Sequence, residues 1–226
     1  MNKIAAIILV LLLSTVTLAR AQFINTGAVW DGHTTIGPFG EPGLATIGQV
    51  FTAPIEYTQL ESFAFTLNWL GGGSVYYAAA VAEWDPINLH PTNAPLFTSG
   101  LLTLPPSTGF IPTIVSTGGI SLKGNTQYVA FLTTSAFFDG VVDWSQVGFI
   151  GSDVYAGGGA VALNNGSDIP ALTVGPWLST PADLAFAAAF SAVVPEPSTY
   201  GLVGAAALAA LMCLARRSRV QSGKTQ

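Results

Sequence analysis

Charge is what this sequence has least of. Only 8% of its 226 residues are charged, where an average soluble chain has about a quarter. Positive charge is almost confined to the two ends: Lys3 and Arg20 at one, Arg216, Arg217, Arg219 and Lys224 at the other. Between Gln22 and Val194 the single Lys123 faces eleven carboxylates, a formal charge of −10. A body of that sign repels phosphate backbones, which excludes nucleic-acid binding. Cysteine is nearly absent too. The lone Cys213 lies in the C-terminal apolar run, so the body has no disulfide and no thiol nucleophile. The two histidines, His33 and His90, sit in polar or proline-rich stretches without H-x-H or H-E-x-x-H spacing, so they do not compose a zinc site. There is no G-x-S-x-G elbow. Gly71-Gly72-Gly73 and Gly157-Gly158-Gly159 lack the Lys-Ser/Thr that a phosphate loop needs, and read as turns. The expectation is a non-enzymatic protein that needs no cofactor.

What is present is apolar, and it is ordered. Lys3 opens a short positive region, Ile4 to Val16 is an apolar run, and Ala19-Arg20-Ala21 places small residues where a signal peptidase reads. This is the pattern of a secretory signal peptide over residues 1–21, cleaved after Ala21; the alternative is an uncleaved anchor. At the other end, Val194-Pro195-Glu196-Pro197-Ser198-Thr199 is an extended hexapeptide, because each proline removes an N–H and pushes the residue before it out of the helical region. Tyr200 to Ala215 follows without a charge, and Arg216-Arg217-Ser218-Arg219 closes it. By the positive-inside rule those arginines flank a transmembrane helix, 200–215, on its cytoplasmic side. At 1.5 Å per residue that helix is roughly 24 Å long against a ~30 Å hydrocarbon core. It is a marginal anchor, as befits a temporary one.

Pro-Glu-Pro, apolar helix and arginine cluster, in that order, resemble the PEP-CTERM sorting signal. The resemblance implies processing by an exosortase, a membrane-embedded cysteine transpeptidase. It makes Pro195, Glu196 and Pro197 recognition residues and Arg216, Arg217 and Arg219 the anchor's flank. It further implies a Gram-negative host that makes extracellular polysaccharide, with the protein passing through an inner-membrane anchored intermediate to the surface or the medium. The implied partners are signal peptidase, exosortase, the membrane and, for the body, matrix polysaccharide. The alternative is a permanent tail anchor. Cys213 is a small apolar helix residue or a lipidation site.

The body, 22–193, reads as all-β. Phe63, Phe65, Leu67 and Trp69 alternate with Ser62, Ala64, Thr66 and Asn68, the period of a half-buried strand. Val75 to Trp84 alternates likewise, and the glycines between predict a hairpin. Further strands are predicted at 49–52, 96–102, 127–133, 148–151, 160–163, 171–174 and 184–192. Turn residues about every ten positions favour a two-sheet antiparallel sandwich of jelly-roll type. Gln49-Val50-Phe51, Leu60 to Leu67 and Gly119 to Tyr128 resemble the strands of jelly-roll modules found ahead of such tags.

Three sets of side chains are candidates for chemistry. Glu83 and Asp85 flank Trp84 and share a strand face, an arrangement open to a glycosidase pair or a turn. Asp139, Asp143 and Asp153 lie in loops where a sandwich domain can hold a structural calcium. Trp84, Trp144 and Trp177 lie beside turns, where a ring can stack on a pyranose. The leading expectation is a surface or extracellular-matrix protein with a structural or interaction role in a biofilm. The alternative is a carbohydrate-binding module, and a glycan-active enzyme comes last.

Overall fold

The computed structural model describes residues 21–41, 43–71 and 73–193. The predicted helix at 200–215, the sorting hexapeptide and all but the last residue of the signal peptide lie outside them. The strands in chain order are β1 (Ala21–Asn25), β2 (Thr35–Gly40), β3 (Thr46–Thr52), β4 (Gln59–Gly71), β5 (Val75–Asp85), β6 (His90–Pro91), β7 (Phe97–Thr98), β8 (Leu102–Leu104), β9 (Ile111–Ser121), β10 (Gln127–Thr133), β11 (Trp144–Ile150), β12 (Ala160–Leu163), β13 (Leu178–Ser179), β14 (Asp183–Leu184) and β15 (Phe186–Ser191).

They form two antiparallel sheets. The first runs β1-β15-β4-β11-β14, with β9 on β4 and β2 on β11; the second runs β13-β12-β3-β10-β5-β6, with β7 and β8 also on β5. The alternation of β4 does what its period requires: Phe63, Phe65 and Leu67 are buried while their neighbours are not. These side chains meet Phe51 and Tyr128 of the second sheet and Phe186 and Phe190 of β15 in one apolar cluster. Phe51 is its hub, with ring centroids 6.1 Å from Tyr128, 6.1 Å from Phe186 and 5.8 Å from Phe190. Burying such a ring contributes about 1.5–3 kcal/mol.

Two predicted features are corrected. β4 and β5 do not form a hairpin, because they belong to different sheets. β4 is held by β9, β15 and β11, and β5 by β10 and the short strands after it, so the glycines between them carry the chain from one layer to the other. Residues 171–174 are not a strand but most of a 3-10 turn, Pro170–Thr173, with proline at its first position.

That turn covers a second apolar cluster, on the outer face of the second sheet. Ala80, Ala82, Trp84, Val129, Phe131, Val161, Leu172 and Trp177 compose most of it. The small alanines of β5 leave room for the turn and for Trp177 to lie down on the sheet. The second sheet is thus covered on both faces, so β10 is buried along almost its whole length rather than alternating.

Candidate functional site

The two processing ends come together on one sheet. β1 and β15 are antiparallel neighbours, with Ala21 opposite Ser191, Gln22 opposite Phe190 and Asn25 opposite Ala187. Ala21, the residue expected at the signal-peptidase cut, therefore lies beside the last strand residue before the sorting segment. Thr26 continues the seam: its hydroxyl donates to the Leu184 carbonyl at 2.5 Å and accepts the Phe186 N–H at 3.0 Å. Ala19, Pro195, Glu196, Pro197, Arg216, Arg217 and Arg219 lie outside the described residues.

The tryptophans do not make a glycan platform. Trp84 and Trp177 are 5% and 2% exposed, and they pack edge to face at 5.7 Å. Trp177 also packs on Phe131 and donates its indole N–H to the Leu172 carbonyl at 3.1 Å. Both rings are core because the loop carrying Trp177 folds back over the alanine face of β5. Trp144, in β11, is half-buried.

The three aspartates do not converge either. Asp139 and Asp153 are exposed, Asp143 is buried, and among the described residues no group of three or more His, Cys, Asp and Glu is placed to hold a metal. Asp139 and Asp143 instead adjoin Glu41, a residue with no motif around it to single it out. The Glu41 carboxylate accepts the N–H groups of Asp139 at 2.7 Å and Gly140 at 3.1 Å, which holds that loop against the start of β3. Burial raises the Asp143 carboxyl above the usual range, and the charges of Asp139 and Glu41 raise it further. Asp85 is a turn former. Its carboxylate accepts the N–H groups of Ile87 and Asn88 and the Asn88 amide; the Asn88 bonds first, then that of Ile87, lower its carboxyl. Glu83 stands exposed beside it. Asp31 makes a similar turn before β2, and the Thr34 hydroxyl and N–H, with the His33 N–H, bring its carboxyl down to about 2.

The most buried carboxylate is Asp183, at 0% exposure. It accepts the Gln49 side-chain amide at 2.7 Å and the N–H groups of Val154 at 2.8 Å and Tyr155 at 2.9 Å. Gln49, equally buried, accepts the Leu184 N–H at 2.9 Å. Together they pin β3 of one sheet to β14 of the other. Only Gln49 has a sequence signal, as the first residue of the Gln-x-Phe strand; a lone aspartate before an alternating run carries none.

Beside β1 runs an open groove of about 560 Å³, lined by Gln22 to Thr26, Val29, Thr52 to Ile55, Asn125, Val154 and Tyr155. None of these residues is charged.

Residues 193–219 match the family described as the PEP-CTERM protein-sorting motif. The motif begins two residues after Ser191, the last of β15. It is the signal an exosortase recognises, so the chain is an exported protein that crosses the membrane. No curated protein matches the sequence. Among solved structures, the body is similar to a clostridial cysteine protease, a variant of Cwp84 after propeptide cleavage, with TM-score 0.51 and 15% identity over 76% of this chain and 40% of that one. The cysteine protease and lectin-like domains of Cwp84, a surface layer associated protein of Clostridium difficile, align with TM-score 0.42 and 16% identity over 65% of this chain and 32% of theirs. The chain thus spans 40% or less of either structure. At these identities the first likeness is one of fold.

Proposed function

We propose that this chain, a carrier of the PEP-CTERM sorting motif, is a surface or extracellular-matrix protein whose sandwich body has a structural or interaction role in a polysaccharide-producing Gram-negative bacterium. The observation that carries the reading is the motif itself, matched over 193–219 and set directly behind the last strand of a β body. Several features of the body support a non-enzymatic role. Its carboxylates Glu41, Asp31, Asp85 and Asp183 are engaged in holding loops and strands. Its sequence holds no cysteine outside the tail, so the cysteine-protease chemistry of its structural neighbour has no nucleophile here. The maturation steps are removal of residues 1–21, retention by the 200–215 segment, and exosortase cleavage near Pro195-Glu196-Pro197.

The test is fractionation of host cells with and without the exosortase. With it, the body is recovered at the surface or in the medium and lacks the tail. Without it, the body stays in the membrane fraction at higher mass. Identical mass and location in both strains would rule the proposal out.

A further inference from the structure

We propose that β1 is a self-association edge, through which two copies of the body join their first sheets into one continuous sheet. β1 pairs with β15 on one side only and ends its sheet, so its outer N–H and C=O groups offer a ladder to another strand. Other ends of the sheets are blunted. β9 carries Pro112, and β13, β6, β7 and β8 have two or three residues each. The five residues of β1, Ala-Gln-Phe-Ile-Asn, hold no charge and no proline.

The surroundings fit a strand of the same kind. Phe23, Val29, Ile55 and Val154 are 68, 64, 76 and 45% exposed and line one groove. The groove is uncharged in a body of net −10. Two copies repel one another over most approaches, and least through this face. Aliphatic walls and a free backbone edge match a β-strand better than a sugar, which calls for aromatic platforms. An antiparallel β1–β1 pair is isologous, so each copy's strand enters the other's groove. Centred on Phe23, it sets the two phenyl rings opposite each other, a favourable cross-strand pair.

The test uses the full chain with Cys213→Ser, which removes its only cysteine. Single cysteines are introduced as Phe23→Cys, Gln22→Cys and, as control, Ile87→Cys at a site 87% exposed. Paired thiols meet at an effective concentration on the order of millimolar, so mild oxidation links the β1 variants into dimers orders of magnitude faster than the control, which shares any contact made by the tail. Adding Phe23→Lys to Gln22→Cys abolishes the dimer while leaving the thermal transition unchanged. Equal cross-linking at Ile87 and β1, or a Gln22→Cys dimer that survives Phe23→Lys, overturns the proposal. So does retardation by a neutral glycan that Phe23→Lys removes in a protein that does not cross-link, because the groove then holds a sugar.

Discussion

At the scale of single residues, the polar side chains of the body are occupied with holding backbone. Asp183 is the strongest case. Replacing it with alanine orphans the Gln49 amide and the N–H groups of Val154 and Tyr155, at about 1–3 kcal/mol for each buried donor left unpaired. Asp183→Ala is expected to lower the urea midpoint sharply, or to prevent export of folded body. Asp143 behaves in the opposite sense. Its carboxyl is raised in the folded state by burial and by Asp139 and Glu41, so the folded protein binds that proton more tightly than the unfolded chain does. Its ionisation is therefore a penalty, present above the raised value and relieved as pH falls through it toward the ordinary aspartate value of 3.8. Asp143→Asn is expected to raise the melting temperature at neutral pH and to make no difference once both states are protonated. A melting series from pH 7 to pH 3 checks it.

At the scale of elements, strands that alternate are legible in the sequence and strands that do not are hidden. β4, β10, β12 and β15 announce themselves by period or by β-rich composition. β2 and β9 contain proline and glycine and hide among turn residues, and β6, β13 and β14 are too short to show a period. A β4–β5 hairpin is the natural reading of the sequence, yet a glycine turn between alternating runs looks the same whether the second strand returns to its sheet or crosses to the other. Trp84 and Trp177 mislead for a related reason. Sequence places them beside turns, while their burial depends on a loop far downstream of β5 folding over the alanines of that strand. The site divides the same way. The sorting motif is linear and can be read directly, whereas Glu41 and Asp183 bind backbone distant in sequence and leave no local trace. Trp177→Ala is accordingly expected to cost about 3–5 kcal/mol of stability, as aromatic truncations in cores do, and to leave any glycan retardation of the folded protein unchanged. A loss of glycan binding at unchanged stability would return that ring to the surface.

At the scale of the whole molecule, charge and chain ends decide where the body goes and what it avoids. With one lysine against eleven carboxylates, it is expected to show no retardation by DNA or an acidic polysaccharide even at about 10 mM salt, where screening extends to roughly 30 Å. A shift under those conditions would mean that cations bridge the two surfaces, and chelation would then remove it. The ends are more telling. Ala21 stands opposite Ser191, and the sorting motif starts at 193, so both expected cuts fall at the margins of one strand pair and leave the sandwich whole. The central claim, that the tail is a sorting signal removed on the way out, is tested most directly by the intact mass of the protein recovered outside the cell. The expected species begins at Gln22 and ends near Pro195-Glu196-Pro197, without the apolar segment and its arginines. A species that still carries residues 200–219 would contradict the account.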